Sequence, residues 1–141
     1  FGNDYEFEIC RVISVREGSD FNIFSTGAQT IRCLQAAEKL ESQNISAHVV
    51  HVPTIKPLDT AAVVKAAART GRVVTAEDHT IIGGLGGAIA EVLSEEMPTP
   101  MKRIGILDTF GESAANEDLL QKYRISYNHV TEAAHKILQT S

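Results

Sequence analysis

The chain has 141 residues, which fits one domain that is long enough to bury a hydrophobic core. Its composition, 43% hydrophobic and 22% charged, is typical of a globular protein. A formal net charge of −5 without a run of Lys or Arg argues against nucleic acid as a partner, and no apolar stretch reaches membrane-spanning length, which argues against a membrane.

The amino-terminal residues 1–8 are polar and aromatic without a clear period, so we interpret them as a lead-in segment. Residues 9–141 then form a single domain without an internal linker or repeat. The chain begins with Phe1 and not with Met, so we expect a fragment or a missing start. No signal peptide is recognisable at its start.

Five segments carry the alternating or β-rich pattern that is typical of strands. They are residues 9–15, 21–25, 45–52, 72–77 and 101–107. Only the short turn "REGSD" separates the first two, and a short turn joins antiparallel neighbours if they pair directly.

Helical spacing of apolar residues predicts a helix after each of the second, third and fourth strands and two helices after the fifth. In the first helix the spaced residues are Ile31, Leu34, Ala37 and Leu40, and after the glycines they are Ile82, Leu85, Ile89 and Val92. The predicted caps are Ser25 or Thr26, Asp59, Asn116 and Ser126 at amino termini, and Gly71 at a carboxyl terminus.

The resulting order, β–β–α–β–α–β–α–β–α–α, demands a mostly parallel sheet with helices on both faces. We therefore predict an α/β fold with three α/β/α layers. Its five-stranded sheet should be mixed, with the first strand antiparallel.

The glycine-rich stretch "IIGGLGG" (81–87) invites comparison with phosphate-binding loops. Gly84 and Gly86 supply the first two glycines of a dinucleotide fingerprint, but Ile89 stands in the third position, and no Lys of a P-loop is present. We therefore interpret Gly83, Gly84 and Gly86 as a sharp turn that lets a helix pack closely on the sheet. One alternative stays open, because bare amides at a helix amino terminus can bind an anion.

Glu77, Asp78 and His79 follow directly, at the carboxyl end of a predicted parallel strand, where open α/β sheets place ligand sites. A carboxylate beside a histidine could perform acid–base work. On an extended chain Glu77 and His79 could share a face while Asp78 does not. A hydrogen-bonded turn or a contact between subunits is the favoured interpretation.

The remaining histidines and cysteines give no catalyst or metal site. His48 and His51 should face opposite sides of a strand, and Cys10 and Cys33 are far apart in sequence, so free thiols in a reducing compartment, the cytoplasm, are expected.

Several motifs in register resemble the carboxyl-terminal domain of transketolase-type thiamine diphosphate enzymes, over about residues 11–138. These motifs are "REGSD" (16–20), "STGAQT" (25–30), "TIKPLD" (54–59), "VVTAEDHTIIGGLGGAIAEVL" (73–93), "KRIGILDTFGES" (102–113) and "LLQKYRISYNHVTEAAHKIL" (119–138). Split transketolase subunits are the most similar. Deoxyxylulose-phosphate synthase and the beta subunits of 2-oxoacid dehydrogenase E1 share the domain.

The resemblance implies a domain that supports the dimer and is not catalytic by itself. In such enzymes the pyrimidine- and diphosphate-binding domains hold thiamine diphosphate and Mg²⁺, so no cofactor and no metal are expected on this chain. The parent enzyme would be a homodimer or a heteromer that transfers two-carbon ketol units between sugar phosphates. The alternative from another class is a free-standing module that binds a small anion or effector.

A domain that completes a larger subunit should present a surface to other domains. The two turns after the fourth and fifth strands emerge at the same edge of the sheet. Apolar residues near these turns are Ile81, Ile82, Leu107 and Phe110, of which Ile82 is expected in the core. We expect His79 and Phe110 at or near a subunit or domain contact.

Overall fold

The computed structural model of this chain describes residues 6–140, so the first five residues of the predicted lead-in, and residue 141, lie outside the described part. The five strands are β1 (Ile13–Arg16), β2 (Phe21–Ser25), β3 (Ala47–His51), β4 (Val73–Thr80) and β5 (Met101–Ile106). The five helices are α1 (Gln29–Glu41), α2 (Thr60–Thr70), α3 (Leu85–Glu96), α4 (Asn116–Lys122) and α5 (Tyr127–Leu138).

The strands form one mixed sheet in the order β1-β3-β2-β4-β5. β2, β3, β4 and β5 run parallel, and β1 is antiparallel to β3. The predicted α/β class and the antiparallel first strand are confirmed. The strand β1 pairs with β3 rather than with β2, although only a short turn separates β1 from β2 along the chain.

The turn between β1 and β2 explains this pairing, because it crosses the start of β3. The amides of Ser19 and Asp20 both donate to the carbonyl of Ser46, at 3.1 and 2.9 Å, and the amide of Ser46 donates to Asp20 Oδ2 at 2.7 Å. A Cβ at Gly18 would overlap the backbone of Ala47, so this crossing requires glycine.

Two apolar cores cover the two faces of the sheet. Helices α1 and α5 pack on one face, and helices α2 and α3 pack on the other. The first core includes Phe21, Ile23, Leu40, Val49, Val74, Val130 and Ile137. The second includes Phe24, Val50, Val63, Leu85, Ile89 and Leu93. Alternate residues of the central strands thus enter opposite cores, as the pleat of a strand requires.

The predicted start of the first strand is wrong. Residues 9–12 do not join the sheet, and Cys10 has a φ of 69° in a turn that the amide of Arg11 closes on the carbonyl of Glu8 at 3.3 Å. The amide of Cys10 instead bonds to Thr54 Oγ1 at 3.3 Å. Cys10 and Cys33 are both free, as expected.

The helix caps were predicted with mixed success. Asp59 caps α2 by accepting a hydrogen bond from the amide of Ala62 at 3.0 Å, and Gly71 ends that helix at a φ of 67°. Neither Ser25 nor Thr26 caps α1, because Ala28 takes the capping position and Ser25 Oγ lies 3.0 Å from Thr30 Oγ1.

The two carboxyl-terminal helices show the same limit of the cap predictions. Asn116 is the first residue of α4, with Ala115 in the capping position. Ser126 does precede α5 as predicted, but its hydroxyl lies 2.8 Å from His129 Nδ1 and bonds to no helix amide.

Candidate functional site

The glycine-rich turn joins the end of β4 to the start of α3, next to the edge strand β5. The strand β4 is longer than predicted and reaches Thr80, with an irregular register between Ala76 and Thr80. The helix α3 begins at Leu85, after Gly84 in the capping position. No Ser, Thr, Asp or Asn side chain caps this helix.

A carboxylate from the preceding strand takes the place of the missing cap. Glu77 Oε2 accepts a hydrogen bond from the amide of Leu85 at 2.7 Å, and Glu77 Oε1 accepts one from the amide of Gly86 at 2.8 Å. The Glu77 side chain is buried, with 1% of the residue exposed. The amides at the amino terminus of a helix carry the positive end of the helix dipole, so their hydrogen bonds stabilise a buried, negatively charged carboxylate.

The glycines of the turn make room for this carboxylate. A Cβ at Gly84 would overlap the carboxylate of Glu77. A Cβ at Gly86 would lie 2.8 Å from Thr75 Oγ1 and 3.0 Å from Arg103 Cδ. Gly83 has a φ of 72°, in the left-handed region that favours glycine. The interpretation of these glycines as a close-packed turn thus has a direct geometric basis.

The helix α3 packs so closely on the sheet that the hydroxyl of Thr75 is buried beneath it. Among the described side chains, Thr75 Oγ1 is the buried polar atom without a hydrogen-bond partner. It faces the backbone of Gly86, whose amide bonds to Glu77 instead. The tight packing of the helix on β4 therefore leaves this hydroxyl without a partner, at some cost in stability.

The same geometry bears on the anion-binding alternative. The amides of Leu85 and Gly86 are the donors that an external phosphate would use at this helix start. Both already bond to Glu77, a carboxylate of the same chain. The start of α3 is therefore an anion site that the protein fills with its own side chain.

The structure separates the three polar residues at the end of β4. Asp78 is exposed and pairs with Arg32 of α1, with 3.7 Å between Oδ2 and Nη1. His79 is exposed too, and its Nδ1 lies 3.2 Å from the carbonyl of Thr80. Both oxygens of Glu77 are bonded to amides, and no hydrogen bond joins Glu77 to His79 among the described residues. The arrangement is a hydrogen-bonded turn and not an acid–base pair.

Apolar side chains surround these polar residues at the carboxyl edge of the sheet. Ile82 is 62% exposed and Leu107 is 61% exposed, and Phe110 is almost fully exposed at 94%. The expectation that Ile82 enters the core is wrong, because α3 begins only at Leu85 and Ile82 belongs to the turn before it.

One member of this edge was missed by the sequence reasoning. Ile31 lies in the first turn of α1, directly after β2, and is 64% exposed. Helical spacing placed it with Leu34 on the core face, but the buried residues of the first turn are Gln29 and Thr30. We define the carboxyl-edge surface as Ile31, Asp78, His79, Ile82, Leu107 and Phe110.

A second polar cluster lies under β1 and is held by hydrogen bonds. Asn22 Nδ2 donates to the carbonyl of Ala66 at 2.8 Å, which turns Asn22 Oδ1 toward His48 Nδ1 at 2.6 Å. His48 Nδ1 must therefore carry the proton, because Oδ1 only accepts. His48 Nε2 is then an acceptor, and Arg69 Nη1 donates to it at 3.4 Å. The Ser14 hydroxyl lies 2.9 Å from Nε2, but it donates its proton to Glu17 Oε1 at 2.7 Å. Burial and the nearby Arg69 lower the pKa of His48. This cluster satisfies a buried histidine between the sheet and α2.

His51 lies on the opposite face of β3, as predicted, with its Nδ1 2.7 Å from Thr30 Oγ1. Within residues 6–140, no group of three or more His, Cys, Asp or Glu side chains could hold a metal ion. None of the described helices is long and apolar enough to cross a membrane.

Comparisons with known proteins agree on one family. The family model described as "Transketolase, C-terminal domain" matches residues 11–130. The "6-deoxy-6-sulfo-D-fructose transketolase subunit SqwH" of Clostridium sp. (strain MSTE9) is 42% identical over 134 residues, which cover 95% of this chain and 42% of the relative. A "putative transketolase C-terminal section" of Methanocaldococcus jannaschii is 43% identical over 118 residues, which cover 83% of this chain and 36% of the relative.

A solved structure described as "Split gene transketolase, inactive beta4 tetramer" matches with a TM-score of 0.94 at 45% sequence identity. The match covers 98% of this chain and 45% of that chain. The chain thus spans less than half the length of each of these similar proteins.

The carboxylate of Glu77 can be tested by a nearly isosteric change. We expect Glu77→Gln to lower the free energy of unfolding by about 1.5–3 kcal/mol, because an amide nitrogen would face a backbone N–H and a charged hydrogen bond would be lost. The matched control, Asp78→Asn, removes a long ion pair between an exposed carboxylate and the half-buried Arg32, and should cost less than about 1 kcal/mol. Urea denaturation of the three proteins measures this, and equal midpoints for Glu77→Gln and wild type would contradict it.

The glycines of α3 should respond in opposite directions. Gly86→Val should lower the free energy of unfolding by roughly 1–3 kcal/mol, because its side chain would enter the contact with Thr75 and Arg103. Gly87→Ala has no atom within 4 Å of the added Cβ, and should raise that free energy by about 0.5–1 kcal/mol through its helix propensity. Denaturant midpoints distinguish the two variants. Stabilisation by Gly86→Val would show that the helix does not pack as closely as described.

Proposed function

This chain belongs to the transketolase C-terminal domain family, and we propose that it supplies the dimer-supporting part of an enzyme that transfers two-carbon ketol units between sugar phosphates. The observation that carries this proposal is the family match over residues 11–130. Two of the similar proteins carry transketolase in their names and align over less than half of their length, as expected for one domain of a larger enzyme.

The proposal assigns no chemical step to this chain. The cofactor of such enzymes, thiamine diphosphate with Mg²⁺, needs metal ligands and a place for its diphosphate. The residues of this chain do not fit that need, since the described part has no metal-ligand cluster and the helix amides of its glycine turn bond to Glu77. We infer that the pyrimidine- and diphosphate-binding domains of the parent enzyme hold the cofactor, and that residues 9–141 act as one supporting domain in the cytoplasm.

The carboxyl-edge surface is the part of the chain that we assign to the contact with these domains or with a second subunit. It gathers four exposed apolar side chains, with Asp78 and His79 beside them. A large exposed aromatic side chain such as Phe110 is typical of a residue that another protein surface covers. The turn that carries Ile82 is fixed by four residues that are not themselves in this surface: Glu77, Gly83, Gly84 and Gly86.

Deoxyxylulose-phosphate synthase and a 2-oxoacid dehydrogenase E1 beta subunit would use such a domain in the same way. Relatives named 1-deoxy-D-xylulose-5-phosphate synthase match too, at 36% identity or less, whereas two relatives named transketolase are 42% and 43% identical, which favours the transketolase proposal over the synthase. The free-standing effector module is less well supported, because Glu77 already bonds the amides that it would have needed.

Co-expression with the two other domains of the parent enzyme tests the proposal. We expect the isolated chain to be inactive and the assembled protein to catalyse ketol transfer. His79→Ala and Phe110→Ala should each weaken assembly about tenfold or more, as truncation of a central interface residue does, without changing the stability of the isolated chain. Size-exclusion chromatography and a ketol-transfer assay provide the measurements.

The matched control is His135→Ala, on a part of α5 away from the carboxyl-edge surface. It should assemble and work as wild type. If His79→Ala and Phe110→Ala also assemble and work as wild type, the interface is elsewhere. Ketol transfer by the isolated chain would overturn the assignment of a supporting domain.

A further inference from the structure

A cleft of about 190 Å³ lies between the edge strand β5 and the carboxyl-terminal helices. Ile104 and Ala133 form part of its apolar floor, and Tyr123 stands at one end. The phenol of Tyr123 donates to the carbonyl of Phe110 at 3.2 Å, which fixes the ring against the loop after β5. Leu107 lines both this cleft and the carboxyl-edge surface, and the proposed function uses no other residue of the cleft.

The cleft is cationic in a chain whose formal net charge is −5. Lys102 of β5, Lys136 of α5 and Arg124 before α5 line it, against one carboxylate, Glu132. Glu132 is already paired, since its Oε2 lies 2.8 Å from Arg124 Nη2. The ammonium groups of Lys102 and Lys136 make no ion pair or hydrogen bond to any described residue. Two positive charges therefore border the cleft without a counter-charge.

Backbone donors from β5 open onto the same cleft. The carbonyls of Pro100 and Ile106 accept hydrogen bonds from β4, at 3.0 and 2.8 Å. Along a parallel strand, alternate residues turn their backbone groups to the same neighbour, so Arg103 and Gly105 turn theirs to the open edge. Both residues line the cleft. The guanidinium of Arg103 lies elsewhere, since its Nη1 donates to the carbonyl of Ile81 at 3.2 Å.

His129 is the titratable histidine that lines the cleft. It lines the cleft, and its Nδ1 is engaged by Ser126 Oγ at 2.8 Å. Burial, and then the positive charge of Arg124, lower the pKa of His129. His129 is therefore neutral at neutral pH, and the unpaired positive charge of the cleft comes from Lys102 and Lys136.

Protection of the edge strand β5 from pairing with another strand explains only one of the three positive charges that line the cleft. A lysine on an edge strand discourages pairing with another strand, and Lys102 can serve that purpose. Lys136 belongs to α5 and Arg124 to the turn before α5, and both line the same cleft from the helical side. Cations from β5, from α5 and from the turn before α5, together with outward-facing amides, suit a compact ligand with several acceptor oxygens.

We propose that this cleft binds a small phosphate-bearing ligand. Lys102 and Lys136 supply charge from the two walls, and the amides of Arg103 and Gly105 supply hydrogen bonds from the strand. Arg124, which is paired with Glu132, offers its remaining N–H groups as further hydrogen-bond donors. The site is separate from the glycine turn at α3, whose amides bond to Glu77.

Titration of the ¹⁵N-labelled chain with inorganic phosphate, and separately with pyrophosphate, at constant ionic strength tests the proposal by NMR. We expect saturable shifts of the Arg103, Gly105 and His129 signals with both probes. Lys102→Gln and Lys136→Gln should each weaken binding by roughly two- to fivefold, the effect of an exposed charge pair. Lys102 and Lys136 are both exposed, so the two variants should fold as wild type.

The matched control is Lys65→Gln, which removes a lysine from the surface of α2 and leaves the net charge equal to that of the other variants. It should bind as wild type. Equal weakening by Lys65→Gln, shifts without saturation, or saturable shifts confined to other residues would each overturn the proposal. None of these outcomes would touch the proposed supporting function, which is tested by assembly with the other domains.

Discussion

Two short hydrogen bonds, from the amides of Leu85 and Gly86 to the buried carboxylate of Glu77, connect the strand β4 to the first turn of α3. A helix start leaves amides without partners, and a buried carboxylate needs donors. Each of the two groups satisfies the other. The glycines follow from this, because a side chain at Gly84 or Gly86 would enter the space of Glu77 or Thr75. The motif that resembles a phosphate-binding loop is thus closed by the protein's own anion.

This connection fixes the geometry around it. With α3 held against β4, Leu85, Ile89 and Leu93 enter the core that α2 completes. The turn before α3 then projects Ile82 outward, beside the loop that carries Leu107 and Phe110. A closed turn and an exposed apolar edge are the features that we expect of the supporting domain that we propose. Its likeness to the carboxyl-terminal portion of transketolase-type proteins agrees with that description.

The fold could be predicted from the sequence because the strand and helix periods are strong and alternate along the chain. Contacts between residues that are far apart in the chain could not be predicted in this way. The pairing of β1 with β3 depends on the close crossing at Gly18, and the exposure of Ile31 depends on how α1 docks. The position of Glu77 at the end of a predicted strand makes it a candidate, but its partners lie eight and nine residues further along the chain, and no local pattern indicates that the carboxylate turns toward them. The caps failed where a hydroxyl found a side-chain partner instead, as at Ser25 and Ser126.

The most direct measurement of the central claim is amide hydrogen exchange at Leu85 and Gly86, followed residue by residue by NMR. Amides at an open helix start exchange quickly, because only water bonds to them. If the buried Glu77 carboxylate holds them, both should exchange as slowly as the amides of the buried part of β4. Exchange as fast as in the exposed loop 108–112 would show that the turn is open, and would contradict the account.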